Sequence, residues 1–262
     1  MGRQTEDGTA SVSQVLGIDI GGSGIKGAPV DLASGTLTEE RTRIETPDRA
    51  TVDGVASVVA KVAEAFPHVT GPLGCTFPGI VKAGVVGSAA NVDAEWVGVD
   101  ANSLLSERCG RPVYVINDAD AAGMAEAAAE GTASQGVVLL LTFGTGIGSA
   151  LLVDGVLVPN TELGHLELDG VPAEDIASSR ARKEQDLSYE AWASIVNRYL
   201  AHVERLFSPD RFVLGGGISK RFDEFGHLLT ADAELTPAVL RNDAGIAGAA
   251  MWAAAQAGLV NS

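Results

Sequence analysis

Cysteine is nearly absent from this chain of 262 residues: Cys75 and Cys109 are the only two, and neither belongs to a CxxC pair. A disulfide framework and a thiolate zinc site are thereby set aside, both cysteines read as buried bystanders, and a reduced, cytoplasmic setting is expected. Basic charge is also scarce. The chain has 18 lysines and arginines against 34 aspartates and glutamates, for a formal net charge of −16. Nucleic acid and anionic membrane surfaces both require a basic footprint, so neither is the expected partner. Aromatic residues make up 5%. Trp192, Trp252 and Tyr199 read as helix-packing residues, and Trp96 is expected near the rim of a ligand site. No apolar run approaches the ~20 residues that cross a bilayer. The polar start, MGRQTEDGTASVSQ, has no secretory-type apolar segment, and residues 1–13 are expected to form a flexible tail.

Glycine is plentiful, at 32 residues, and hydrophobic residues make up 46%. Their dispersal reads as a globular chain with a sizeable core. The glycines fall in a repeated setting. VLGIDIGGSGIKG carries Gly21, Gly22, Ser23, Gly24 and Lys26, and VVLLLTFGTGIG carries Thr142, Gly144, Thr145 and Gly146. RFVLGGGISK carries Gly215, Gly216 and Gly217. Each is an apolar strand-like run that breaks into glycine with a hydroxyl residue close by. Such turns aim backbone N–H groups inward and suit phosphate oxygens. One would mean little; three suggest a cleft that grips a phosphate chain from several sides.

Strands are expected at residues 15–20, 23–30, 36–45, 73–77, 113–116, 137–142 and 212–214, with a hairpin of 150–153 and 156–158. Helices are expected at 51–66, 119–130 (closed by Gly131), 188–206 and 245–257. Strand, glycine turn, hairpin and helices therefore occur twice. The pattern reads as two similar α/β lobes with ligands between them. The expected division is 14–118 plus the helix at 243–262 for the N-terminal lobe, and 119–242 for the C-terminal lobe. Residues 178–221 reverse the prevailing charge, with eight basic residues against five acidic ones. Either this is an ordinary solvated helix pair or it is a basic wall for an anion, running from Arg180 through Lys183 or along Lys220 and Arg221.

DIGGSGIK with a later LTFGTGIG resembles the two phosphate-binding turns of the actin-like sugar kinase and ATPase superfamily. NDADAA at 117–122 and ELGH at 162–165 resemble the ROK group of sugar kinases within it. With TFPGIV, NVDAEWVGVD and LGGGISK added, the pattern is most similar to the bacterial polyphosphate glucokinases, including the polyphosphate/ATP glucomannokinase type. The resemblance implies an α/β, two-lobed actin-like ATPase (ribonuclease H-like) fold. It also implies transfer of a phosphoryl group from inorganic polyphosphate, ATP or both to O6 of glucose, with Mg²⁺ as cofactor. Mannose as a second acceptor and a homodimer are left open. The Cys cluster that many ROK proteins carry after the E-x-G-H motif is missing from residues 166–178, so no zinc is expected. No DNA-binding domain of the kind found in ROK repressors is recognised before the first strand. The alternatives are an ATP-only hexokinase for another hexose, a non-catalytic sugar sensor, and an actin-like ATPase that assembles or chaperones proteins.

By spacing alone Asp118 is best read as the N-cap of the following helix; the N-D match makes it the general base. The resemblance makes Asn91, Asn117, Glu162, His165 and Glu174 sugar ligands; Pro78-Gly79 reads equally as shaping the pocket through backbone contacts or as a plain turn. For His165 and Asn91 the plainer readings are a structural histidine and a turn residue. Asp19 is the expected Mg²⁺ ligand, directly or through water. Gly21, Gly22, Ser23, Gly24 and Lys26, then Thr142, Gly144, Thr145 and Gly146, then Gly215, Gly216 and Gly217 are the expected donor-binding residues. For Lys26 a solvated strand residue is an equal reading.

Overall fold

A computed structural model of the protein describes residues 13–129 and 135–260. The expected tail (apart from Ser13) and Gly131 lie outside the described residues.

The first sheet begins with β1 (Gln14–Gly21) and β2 (Gly24–Asp31), an antiparallel hairpin closed by the first glycine turn. β3 (Thr42–Ile44) pairs with β2 along only three residues. The longer strand expected over 36–45 fails because Pro29 of β2 has no N–H to continue the ladder. Its carbonyl instead accepts from the Thr38 N–H at 3.0 Å. Helix α1 (Val52–Glu64) is capped by Thr51, whose hydroxyl accepts from the Gly54 N–H, and buries Val55, Val59 and Val62 at helical spacing. β4 (Leu73–Phe77) follows, then the small hairpin β5 (Val81–Lys82) and β6 (Val85–Val86). Helix α2 (Ala101–Cys109) leads to β7 (Val113–Asn117). The sheet order is β3-β2-β1-β4-β7, with β1, β4 and β7 parallel.

Helix α3 (Asp118–Ala128) then leads into a second sheet of the same design. β8 (Val137–Phe143), β9 (Ile147–Val153) and β10 (Val156–Val158) are antiparallel, and the second glycine turn joins β8 to β9. The short strands β11 (Glu167–Leu168) and β12 (Val171–Pro172) precede α4 (Ala173–Ala177), α5 (Ser179–Glu184) and the long α6 (Tyr189–Phe207). β13 (Arg211–Gly215) carries the third glycine turn, α7 (Phe222–Phe225) follows, and β14 (Glu234–Pro237) is the edge strand. The order β10-β9-β8-β13-β14, with β8, β13 and β14 parallel, reproduces the first sheet. The echo in the sequence is thus a repeated fold.

Helix α8 (Ala244–Gln256) returns to the first sheet and packs on β1, β4 and α3. Its small residues reflect how closely it approaches. A Cβ on Gly74 would fall 1.7 Å from the Ala249 carbonyl oxygen, and one on Gly248 would fall 1.8 Å from that of Ala121. Helix α8 contributes to the core: Ile246, Ala249, Ala250, Ala253 and Ala254 are fully buried. Trp192 and Tyr199 pack in the core of the second sheet, while Trp252 is half-buried. Trp96 departs from expectation. It is fully buried, leans on Phe77 and donates its indole N–H to the Ala50 carbonyl, so it is a core residue and not a rim residue. Cys75 is buried and Cys109 half-buried, both as free thiols. Among the described residues no helix is long and apolar enough to cross a membrane.

Candidate active site

Strand geometry decides where the polar residues gather. The parallel strands β4, β7 and β13 end at Phe77, Asn117 and Gly215, and the chain breaks there into Pro78-Gly79, Asp118 and Gly216. The carboxyl ends of parallel strands are where open α/β sheets place ligands. Between them lies a cavity of about 470 Å³ whose walls include Pro78, Gly79, Asn91, Asn117, Asp118, Glu162, His165 and Glu174. The second glycine turn, Gly144, Thr145 and Gly146, closes one side of it. Every residue expected to touch sugar therefore faces one space.

Asp118 is not the helix cap that spacing favours. Asn117 takes that place: its Oδ1 accepts from the Ala119 and Asp120 N–H groups at 2.9 and 3.0 Å, and its Nδ2 donates to the Gly79 carbonyl at 3.0 Å. Asn117 thus holds α3 and the Pro78-Gly79 turn while still lining the cavity. Asp118 accepts one bond, from the Ala119 N–H at 2.8 Å, and its accessible surface faces the cavities it lines. Asp118 is exposed to the cleft; desolvation by the protein around its carboxyl pushes it up to about 7, and the nearby charge of Asp19 adds to the rise.

Glu162, His165 and Glu174 form a row. His165 Nε2 lies 4.0 Å from a Glu162 oxygen and His165 Nδ1 lies 3.6 Å from a Glu174 oxygen. Burial raises the Glu162 pKa, opposed by His165 and reinforced by Glu174. The glycine of the E-L-G-H turn has a physical reason: a Cβ on Gly164 would fall 2.3 Å from the Ile147 carbonyl oxygen. The turn thus sits directly on β9, and Ser149 braces it by accepting from the Leu163 N–H. Glu174 reaches the second glycine turn itself, accepting from the Ile147 N–H at 3.2 Å.

Asp19 lines a second, smaller cavity of about 200 Å³, which shares Asp118, Ala119, Thr142 and Gly216 with the first. One Asp19 oxygen accepts from Thr76 at 2.7 Å and the other meets Lys26 at 3.1 Å. The Thr76 hydroxyl also accepts from the Ile20 N–H, which fixes Asp19 to its own strand. Lys26 also donates to the Asn242 carbonyl and lines this smaller cavity beside Asp19. The first glycine turn is not part of either cavity wall; Gly22 abuts Asn91, which is. Thr76 escaped the sequence reading because an isolated threonine in an apolar strand carries no signal.

On the far side of Thr145 a third cavity, of about 660 Å³, is lined by Arg180, Arg182, Lys183, Arg221, Tyr189 and Gly217. Gly144 and Thr145 belong to both this cavity and the sugar-side one. Of the third glycine turn, Gly215 and Gly216 face the small cavity and Gly217 faces the basic one. The basic stretch therefore converges on a concave site, but Lys220 does not join it. Lys220 lies with Arg41 and Arg241 along a separate groove. Arg182 is held by the Leu187 carbonyl and stacks over Tyr189 at 4.4 Å; Arg180 and Arg221 make only long pairs, with Asp175 at 4.0 Å and Glu224 at 3.7 Å, and with Lys183 are the more available cations.

Two sheets of one design, with glycine turns between a polar cavity and a basic one, define the two-lobed actin-like ATPase class. The model of the ROK family matches residues 15–180. The chain belongs to the ROK family. It is 49% identical to a polyphosphate glucokinase of Mycobacterium tuberculosis, over 90% of this chain and 89% of the relative. Among solved structures it is similar to an inorganic polyphosphate/ATP-glucomannokinase of Arthrobacter, at 53% identity and TM-score 0.88, covering 93% of this chain and 99% of the other. A ROK family glucokinase of Streptomyces griseus shares the fold at 24% identity and TM-score 0.76, over 92% and 99% of the two chains.

Proposed function

We propose that the protein is a sugar kinase that moves the terminal phosphoryl group of inorganic polyphosphate or ATP to O6 of glucose. The observation that carries this reading is Thr145. Its turn is shared by a cavity lined with carboxylates and a cavity lined with guanidinium groups. A sugar hydroxyl on one side and a phosphate chain on the other would meet at that turn. The high identity to proteins named polyphosphate glucokinase and polyphosphate/ATP-glucomannokinase supports the same donors, and the second name supports mannose as a further acceptor.

In this reading Asp118 orients the O6 hydroxyl and accepts its proton, while Glu162, His165, Glu174 and Asn91 hold the remaining hydroxyls. A carboxyl near pH 7 suits a base that must be ionised to act yet basic enough to take a proton. Phosphoryl transfer asks for little else beyond positioning and charge neutralisation. The N–H groups and hydroxyls of the second and third glycine turns hold the donor oxygens. Asp19 is a hard oxygen donor that still has lone pairs free, and its field on Asp118 would be relieved by a cation, so it fits Mg²⁺ directly or through water. Mg²⁺ bound there supplies neutralisation of the charge on the donor phosphates. Among the described residues no group of three or more His, Cys, Asp or Glu side chains is placed to hold a metal ion.

The lobes we assign as 14–118 with 243–262, and 119–242, would close over both substrates and exclude water from the donor. Setting the reaction in the cytoplasm fits the free thiols. Glucose 6-phosphate formation from glucose, Mg²⁺ and either long-chain polyphosphate or ATP tests the function. Donor turnover without sugar would favour an ATPase, and no turnover with folded protein would favour a sensor. Neutralising Arg180, Lys183 and Arg221 together is expected to raise the polyphosphate KM about tenfold, from roughly 0.5 kcal/mol for each exposed charge. Changing Lys220 alone should leave it unaltered. The reverse pattern would place the chain along the groove of Lys220, Arg41 and Arg241.

A further inference from the structure

One buried acid has no part in the mechanism above. Asp120, in the first turn of α3, is 1% exposed. One of its carboxyl oxygens accepts from the Asn160 N–H at 2.7 Å and the other has no partner. Asn160 itself is held in the left-handed region, at φ 60°. Its side-chain oxygen accepts from the Val81 N–H at 2.8 Å, and its amide nitrogen donates to the Val81 carbonyl at 3.0 Å. A single side chain thus pairs both backbone groups of Val81, as a neighbouring strand would.

The positions of these residues give the arrangement its consequence. Asn160 is two residues before Glu162, and Val81 is two residues after Gly79, which Asn117 holds from the same turn of α3. The start of α3 therefore holds both walls of the sugar cavity as well as carrying Asp118. We propose that Asp120 is a positioning residue for the sugar: through Asn160 it fixes the Glu162 wall against the wall of residues 78–81, and so sets how Glu162 stands relative to Asp118. The proposal rests on the sugar-kinase reading. Burial and the carboxylates of Glu162 and Asp118 push the Asp120 carboxyl up to about 7. A site serving packing alone would be filled more favourably by an uncharged residue.

The test compares Asp120→Ala, Asp120→Asn and Asn160→Ala in the full chain. Steady-state kinetics are measured with each substrate varied, and glucose binding is measured by calorimetry without donor. Asp120→Ala and Asn160→Ala should each weaken glucose binding and raise the glucose KM about tenfold, with the donor KM within about twofold. The double variant should be no worse than either single one, because one link is broken once. Asp120→Asn keeps an acceptor oxygen for the Asn160 N–H and should restore most of the affinity. Unchanged glucose affinity in Asp120→Ala and Asn160→Ala would overturn the proposal, as would a loss confined to kcat or shared by both KM values. Asn160→Ala keeps the test decisive if Asp120→Ala does not fold. Absence of glucose binding to the unaltered protein would instead sink the sugar-kinase reading.

Discussion

Replacing Asp118 by asparagine is expected to lower kcat by about 10²- to 10⁴-fold, the usual contribution of a positioned general base, with glucose binding largely kept. Asparagine can still orient the hydroxyl but cannot take its proton. The Asn117 cap and its bond to Gly79 do not involve the Asp118 side chain, so the helix start should survive the change. The pH profile supplies a second readout. Asp118 must be ionised to act, and its pKa lies at about 7. With Mg²⁺ relieving the field of Asp19, the acid limb should lie below that value, and kcat/KM of the unaltered enzyme should fall about tenfold per pH unit beneath it. The residual activity of Asp118→Asn should lack this limb. Near-normal turnover in the variant would remove Asp118 from the role of base.

Stability should respond in the opposite sense. An unfolded aspartate titrates near 3.9, while folded Asp118 titrates at about 7. The folded state thus holds a proton between those values that the unfolded state has released. Folding is favoured by this group below about pH 4, and that advantage is lost as pH rises through about 7. Asp118→Asn should accordingly melt higher than the unaltered protein above pH 7 and similarly near pH 4. A function-bearing acid that opposes folding at working pH is expected of a site tuned for catalysis.

The parts of the fold that repeat were legible in the sequence, because each strand that ends in glycine is mostly apolar. The core helices were legible for the same local reason: Val55, Val59 and Val62 recur at helical spacing. What local pattern misjudged was set by distant partners. Whether Asn117 or Asp118 caps α3 depends on where β7 ends and on the Gly79 carbonyl, which is 38 residues away. Trp96 carries a motif resemblance, but Phe77 and the Ala50 carbonyl bury it. Lys26, read equally as a donor ligand or a solvated strand residue, is set by antiparallel pairing opposite Asp19 at the wall of the smaller cavity. Lys220 and Arg221 are adjacent in sequence yet face different cavities. Glu174 rested on resemblance in the sequence reading, whereas the structure gives it two independent ties, to His165 and to Ile147.

Those ties make Gly146 a second position of large effect. A Cβ there would fall 2.2 Å from a Glu174 carboxylate oxygen. Gly146 is not among the glycines with left-handed backbone, so alanine should carry no conformational strain. The damage should instead pass through Glu174, which must swing away, losing the Ile147 N–H and its place beside His165. Sugar hydroxyls left facing an unfilled polar site typically cost 1–3 kcal/mol each. Gly146→Ala should therefore lower kcat/KM for glucose about 100-fold while shifting Tm little. In a Glu174→Ala background the same change should add almost nothing, since the group it displaces is gone. A full additive loss in that double variant, or an effect confined to the donor KM, would mean that Gly146 serves the phosphate turn alone. The non-additive outcome would mean that one glycine joins the two halves of the site, making room for the Glu174 carboxylate against the backbone proposed to hold the donor.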